Sequence, residues 1–335
     1  MADGVDEPLD DLVARADLDA LVHLVDARCT NRDWEGLLRL RDRARWAVHT
    51  GRQLWPAATL AEYRLALLAP AEWAARVVDE GSGRFAIGPL TEVVAQHHRW
   101  SDLAPHLPPG PRAAFVAHEC VLRGETVDGT GLPDVLDLPY ALAPWEPAYA
   151  LAEYTTGGAE FPSPPLPPAA QFAAVEPVAG AGAERVDDDE LHAAVRQLLE
   201  PWTASSNGRV EVVAVEGGGL ADALGALGLP AGTRAARLPP AAALAWLAWA
   251  GASGGAHGRR RGAALGRFAA WWTLAAIGGV AQHWPVAAEE LGELAGELTW
   301  WWWDAGEASL GWALQLAAHD PADGLTVAVS AHDAA

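Results

Sequence analysis

A proline-rich tract near the middle of the chain most constrains the fold. The eight residues from Phe161 to Pro168 include five prolines. Proline lacks a backbone N–H and fixes φ, so no helix or central strand can run through this tract, which favours extended polyproline geometry. Because 335 residues suffice for two domains of ordinary size, we expect one on each side. We predict a helical domain over residues 1–125, a Pro/Gly-rich, partly packed linker over 126–185, and a second domain over 186–335.

The first domain shows the apolar spacing of amphipathic helices. Apolar residues recur three and four positions apart, with glycine or proline between the runs, which predicts short helices packed antiparallel. We interpret the domain as a repeat-like helical array, whose concave surface could bind a protein partner. No fixed period of roughly 30–45 residues is visible, so a plain helical domain is the alternative. The predicted buried stripes include Leu18, Leu21, Val22 and Val25; Trp34, Leu37 and Leu38; and Leu60, Tyr63, Leu67 and Leu68.

The second domain combines helical and strand patterns. Asp187 resembles an N-cap with Glu190 as its capping-box partner, and Arg209 to Val215 has the composition of a strand. Turn sequences at the end of the chain separate three further strand-like runs and predict an antiparallel meander. The predicted fold class is therefore mainly α with an α+β C-terminal domain, a helical array followed by helices packed on a small antiparallel sheet. The three runs are Leu298 to Trp303, Leu310 to Ala318, and Leu325 to Val329.

Four consecutive tryptophans, Trp300 to Trp303, lie in the first of these runs. Successive side chains of a strand point to opposite faces, so two rings belong to each face of the sheet. We expect a sheet buried on both faces. The alternative is that one pair is exposed as a binding platform for a ring or an apolar partner.

The stretch from Leu238 to Gly279 contains two apolar, Ala/Trp-rich segments on either side of a basic loop. Residues 238–256 carry no charge, and neither do residues 268–281. A helix that spans a bilayer needs about 20 predominantly apolar residues. The first segment contains two prolines and the second is too short, so we predict two buried helices and no membrane association. A membrane-inserted hairpin is the alternative.

The loop between these segments is the candidate binding site. Its glycines would let a ligand approach the backbone, and a helix starting near Arg261 or Gly262 would direct N–H groups towards it. Arginine adds forked donors that suit phosphate or carboxylate. The alternative is a solvated connection whose arginines pair with nearby carboxylates. The candidate anion-binding residues are Ser253, Gly254, Gly255, His257, Arg259, Arg260 and Arg261.

Charge and composition exclude several other classes of function. The formal net charge of −21 opposes generic binding to nucleic acid or to anionic membranes. The chain has no lysine, so its arginines reflect GC-rich codon usage more than phosphate chemistry. Cys29 and Cys120 are the only cysteines, and no histidine or cysteine spacing matches a zinc motif. We predict no metal and no cofactor. The acidic segment Met1 to Glu7 differs from a signal peptide, so we expect a cytoplasmic protein.

No catalytic constellation accompanies the loop. His257 could act as a general acid or base, but no serine, cysteine or aspartate at a recognisable motif distance completes a site. We therefore predict no catalytic residue and a non-enzymatic interaction or adaptor protein that binds a protein partner, with a possible anion-binding loop. The alternative is an enzyme or sensor of a phosphorylated or otherwise anionic small molecule at His257 and Arg259 to Arg261.

The C-terminal third resembles a known family. Residues 249–262, together with Trp271-Trp272 and the closing Asp320-Pro321 and Gly324-Leu325 pairs, resemble an uncharacterised protein family of GC-rich bacteria. The resemblance spans about residues 238–333. Because that family has no assigned activity, the resemblance implies no residue role.

Overall fold

The computed structural model of the chain describes residues 9–79, 83, 86–178, 183–306 and 311–334. The acidic N-terminal segment and Leu310, the first residue of one predicted strand, lie outside them. Two compact units are present. Unit 1 contains the described residues of 1–135 and 152–160, and unit 2 contains those of 136–151 and 161–335. The residues predicted as a linker, 126–185, are therefore divided between both units.

Unit 1 is helical, as its sequence pattern predicts. Asp17 and Asp33 cap its second and third helices, because their carboxylates accept the N–H groups of Ala20 (3.1 Å) and Gly36 (2.9 Å). Within the described residues, unit 1 contains the helices α1 (Leu9–Arg15), α2 (Leu18–Thr30), α3 (Trp34–His49), α4 (Trp55–Leu68), α5 (Ala71–Ala74), α6 (Leu90–His97), α7 (Trp100–Leu103) and α8 (Pro111–Leu122), and the hairpin β1 (Glu153–Thr155) and β2 (Gly158–Glu160).

The core of unit 1 includes residues of the predicted apolar stripes, among them Leu21 of α2 and Leu37 of α3, which are completely buried. On α4 the completely buried leucine is Leu65, which lies outside the predicted stripe. Leu68 of that stripe is 42% exposed, because it is the last residue of the helix. The hairpin is attached by tyrosines: the Tyr63 hydroxyl donates to the Thr155 carbonyl (2.7 Å), and the Tyr154 hydroxyl donates to Glu92 (2.6 Å). Part of the predicted linker therefore packs on the helices of unit 1.

Unit 2 contains an antiparallel sheet that is larger than predicted. Its seven strands are β3 (Ala173–Ala174), β4 (Glu184–Val186), β5 (Arg209–Glu216), β6 (Arg234–Leu238), β7 (Thr299–Asp304), β8 (Trp312–Asp320) and β9 (Leu325–Asp333). Their order in the sheet is β3-β6-β7-β8-β9-β5-β4. The predicted meander forms its centre, but the prediction of a small sheet is wrong. The edge strands β3 and β4 have only two and three residues, too few to show an alternating pattern.

Helices cover both faces of this sheet. The N-cap of the first is Asp188, one residue later than predicted, and its carboxylate accepts from Glu190 and Leu191 at 3.0 and 2.9 Å. The next two helices, α10 (Glu200–Ala204) and α11 (Leu220–Ala226), are short, and α11 packs on β5, β8 and β9. On the opposite face of the sheet α12 (Pro240–Ala252) contacts β7 and β8. The helices are α9 (Asp189–Leu198), α10 (Glu200–Ala204), α11 (Leu220–Ala226), α12 (Pro240–Ala252), α13 (Ala263–Ile277) and α14 (Ala288–Glu297).

The four tryptophans of β7 are divided between the two faces. Trp302 packs on Trp246 of α12, with ring centroids 4.4 Å apart, and Trp300 is buried on the same face. On the α11 face Trp303 belongs to the apolar cluster around Leu224, and Trp301 is half-buried beneath the Arg237 guanidinium. The sheet is therefore covered on both sides, and these rings form no exposed platform.

The apolar segments on either side of the basic loop form α12 and α13. Their inward residues, including Trp249 and Trp271, are buried. In the described part of the chain, no helix has both the length and the apolar character that a bilayer crossing needs.

Candidate functional site

The connection between α12 and α13, residues 253–262, is the loop that the sequence singles out. It is closed at its base, because the N–H groups of Arg261 and Gly262 both donate to the Ala252 carbonyl (2.8 and 3.3 Å). The first and last parts of the loop pack tightly: a Cβ on Gly254 would lie 2.3 Å from the carbonyl carbon of Arg259. Gly262 is the N-cap of α13, which begins at Ala263, close to the predicted start.

A carboxylate of the chain itself contacts the loop that was predicted to bind anions. Asp333, the last residue of β9, is only 1% exposed. Its Oδ2 accepts the Ala256 N–H at 2.6 Å, and its Oδ1 accepts the Ser206 hydroxyl at 2.9 Å. The Ser206 Oγ in turn accepts the His257 N–H at 3.2 Å. The backbone donors of Ala256 and His257 are thus satisfied within the chain.

The inner side of the loop rests on buried tryptophans. The Ser253 hydroxyl oxygen accepts the Trp202 indole N–H (2.8 Å) and the Gly255 N–H (3.3 Å). The Trp202 ring lies 6.0 Å from that of Trp249, which stacks on Trp312 at 4.8 Å. Ser253 is therefore a structural acceptor between the loop and the aromatic core.

The arginine side chains of the loop contact different parts of unit 2. The Arg260 guanidinium lies 5.1 Å from the Phe161 ring centroid, whereas Arg261 donates to the Gln197 carbonyl at 2.9 Å. Burial lowers the pKa of Arg261, and Glu200 opposes this shift. Arg259 and His257 are exposed. Of the predicted residues, the structure thus places the Gly255 backbone against Asp333, but the backbone donor is Ala256, which was not predicted. The Arg260 and Arg261 side chains contact separate segments.

Sequence reasoning missed Asp333, Ser206 and Trp202. Asp333 is the last residue of β9, Ser206 follows α10, and Trp202 lies within α10. Ser206 is the nearest of the three to Ser253 in sequence, at 47 positions. No local spacing links them to the loop. The antiparallel register of β5 and β9, in which Arg209 pairs with His332, brings Ser206 close to Asp333. A weak signal was available: Asp333 follows an alternating apolar run, in a position where a strand would bury it.

A second buried polar centre joins residues 136–151 to α13. Arg267 and Glu146 both have fully buried side chains and form a bidentate ion pair, with Nε and Nη2 each 2.7 Å from a carboxylate oxygen. Arg267 also donates to the carbonyls of Pro139 and Ala141, both at 2.9 Å. Glu146 accepts the Trp271 indole N–H at 3.2 Å. Because each guanidinium nitrogen has a partner, this centre attaches residues 136–151 to α13.

Unit 1 carries the most exposed large apolar side chain of the described residues, Trp46, at 58%. It lies near the end of α3, and Trp55, which is 39% exposed, begins α4. Arg39 and Arg43 precede Trp46 by seven and three positions, so they share its face of α3. Arg43 contacts Asp10 at 3.2 Å in an exposed pair. The outward face of α3 therefore combines Trp46 with two arginines and with Asp42, which lies four positions before Trp46 and has a 58% exposed side chain.

The histidine and cysteine groups of unit 1 do not converge. His97 is exposed, whereas His118 and Cys120 are buried on α8. Burial raises the pKa of the Cys120 thiol well above its ordinary value, so the thiol stays protonated and unreactive. Among the residues that the structure describes, no three His, Cys, Asp or Glu side chains are arranged to hold a metal ion.

Comparison with known proteins identifies a family but no activity. No curated protein and no solved structure matches the chain. The model of DUF6183, a family of unknown function, matches residues 19–334. The resemblance seen over residues 238–333 thus extends to nearly the whole chain. The chain belongs to DUF6183, a family of unknown function.

Proposed function

We propose that this chain is a non-enzymatic interaction protein and that the outward face of α3 in unit 1 binds its partner. The observation that carries the proposal is the 58% exposure of Trp46. Trp202, Trp271, Trp300 and Trp303 of unit 2 are at most 1% exposed. In the described part of unit 1 no tryptophan is fully buried, and Trp46 is the most exposed of the five. Tryptophan and arginine are the side chains that most often dominate binding energy at protein interfaces.

The surface around Trp46 favours an acidic partner segment. Between residues 28 and 52 the sequence has seven arginines and three carboxylates. Of these arginines, Arg39 and Arg43 are exposed on the face of Trp46. Arg41 is buried, and Arg45 pairs with Glu62. The Debye length at physiological ionic strength is about 8 Å, so a bound segment experiences the nearby arginines more than the distant carboxylates. The exposed pair of Arg43 with Asp10 contributes little and can be exchanged for a partner carboxylate. We therefore propose a peptide segment with acidic residues and one apolar anchor.

The alternative of an enzyme or sensor at the 253–262 loop receives less support. That function would need His257 and the arginines to converge with another titratable group in a closed cleft. Instead Arg260 stacks on Phe161, Arg261 bonds a main-chain carbonyl, and His257 is exposed. This arrangement favours the interaction function over small-molecule chemistry at the loop.

A random peptide library displayed on phage tests the proposed surface. The immobilised chain is the target, and the Trp46→Ala variant is used for counter-selection. We expect enriched peptides with net negative charge and at least one aromatic or long aliphatic residue. Because a central tryptophan anchor contributes about 2 kcal/mol or more, Trp46→Ala should weaken binding of these peptides at least tenfold.

A matched control is available in unit 2, where Leu166 is 55% exposed. Leu166→Ala removes a comparably exposed apolar side chain and should leave peptide affinity unchanged. Equal affinity of the selected peptides for the wild type and for Trp46→Ala would contradict the proposal. So would enrichment of basic peptides alone.

A further inference from the structure

We infer that residues 253–257 and Ser206 form a binding site for a carboxylate group, which the chain fills in cis with Asp333 at the end of β9. This site is independent of the surface on α3. Its ligand class follows from three features: the donors, the conformation of Gly255 and the space between the loop and α10.

The donors match the two oxygens of one carboxylate. The Ala256 N–H points to Oδ2 and the Ser206 hydroxyl to Oδ1, so each oxygen has its own donor from a different element. The Ala256 bond of 2.6 Å is short for an N–H donor, as expected when the acceptor is charged. The Ser206 hydroxyl is held by the His257 N–H, which fixes its position for the donation.

Glycine at position 255 is required for this contact. Gly255 has φ of +69°, in the left-handed region that other residues adopt at a cost. A Cβ there would lie 2.1 Å from Asp333 Oδ2 and 3.3 Å from the Trp202 Cα. The backbone therefore closes around the carboxylate on the side where any side chain would exclude it.

The site is too small for a larger oxyanion. Asp333 itself is 1% exposed, and a Cβ on Gly255 would lie 2.1 Å from its Oδ2, so the carboxylate is closely surrounded. A planar group with two oxygens fits this space, whereas the tetrahedral phosphate group needs room for two more. When the Asp333 carboxylate is removed, the vacated donors should take up a small monocarboxylate in trans.

Chemical rescue of Asp333→Ala tests this inference. The variant leaves two half-buried donors without their acceptor, so its thermal midpoint should fall by about 4 °C or more. Sodium formate, titrated against sodium chloride at constant ionic strength, should restore at least half of the loss with a saturable dependence. Sodium phosphate should restore less than formate does. The wild-type midpoint should respond equally to formate and chloride, because its site is filled.

A second variant separates specific binding from general salt effects. In Asp333→Ala/Gly255→Ala the added methyl occupies the position of the carboxylate oxygen, and formate should have no effect beyond that of chloride. Equal formate responses in the wild type and both variants would overturn the inference, as would an unchanged midpoint for Asp333→Ala. If Asp333→Ala does not fold, Asp333→Asn replaces it, and an Asn variant as stable as the wild type would likewise overturn the inference.

Discussion

Glu62 of α4 is a buried carboxylate whose partners only partly offset its burial. It accepts the Gly83 N–H at 2.8 Å and lies 3.4 Å from the Arg45 Nε. Burial raises its pKa in spite of these contacts. A carboxyl whose pKa is raised by folding contributes stability below its unfolded pKa, near 4.5, and loses that contribution as the pH rises through the folded pKa. At neutral pH the ionised Glu62 therefore costs stability.

We expect Glu62→Gln to be at least as stable as the wild type at pH 7.5. The amide oxygen can still accept the Gly83 N–H, and the penalty for burying a charge is gone. Below about pH 4.5 the advantage should disappear, because the wild-type carboxyl is then neutral. Thermal unfolding at pH 7.5 and pH 4 measures both effects. A clear loss of stability at pH 7.5 would show that Glu62 is stabilised by its ion pair and that this explanation is wrong.

At the scale of elements, the buried pair of Arg267 and Glu146 attaches residues 136–151 to α13. Glu146→Ala leaves an unpaired buried guanidinium, which should reduce the free energy of unfolding by about 3–5 kcal/mol. Arg267→Ala should do the same, and the double variant should lose clearly less than the sum of the two. Urea unfolding of the four proteins measures the coupling. Additive losses would mean that the two side chains stabilise the fold separately.

The sequence predicted those elements whose pattern is local. The strand β5 was recognised because Val210, Val212 and Val213 lie in a short apolar run, and α9 because acidic capping residues precede its apolar stripe. The sequence pattern does not predict β3, β4 or β6. Two or three residues, as in β3 and β4, pair with a longer neighbour without any periodicity of their own, and β6 has no β-branched or aromatic residue. The number of strands in the sheet therefore depends on tertiary pairing and not on a local sequence pattern.

The candidate site was predicted in the same partial way. The glycines and arginines of the 253–262 loop are visible in the sequence, and the helix start beside them was placed within two residues. Its occupant, Asp333, is 77 residues from Ala256 and reaches it through strand pairing. Similarly, Arg267 is recognisable as a residue of α13, but its pairing with Glu146, 121 positions away, leaves no local signal.

At the scale of the whole molecule, the chain enters unit 2 before the proline-rich tract. Residues 136–151 belong to unit 2 and carry Glu146, whereas residues 152–160 belong to unit 1. We expect a fragment of residues 136–335 to unfold cooperatively on its own. A fragment of residues 161–335 should be less stable, because Arg267 is then buried without its carboxylate. Circular dichroism during thermal unfolding compares the two, and equal midpoints would contradict the importance of this ion pair.

Fluorescence anisotropy with a labelled peptide from the library selection tests most directly whether the partner binds through Trp46 of unit 1, as proposed, and not through the loop of unit 2. The titrations compare the wild type, Trp46→Ala and Arg259→Ala/Arg260→Ala/Arg261→Ala. We predict that Trp46→Ala weakens binding at least tenfold and that the triple variant binds like the wild type. The reverse result, with binding lost in the triple variant and retained in Trp46→Ala, would contradict the account.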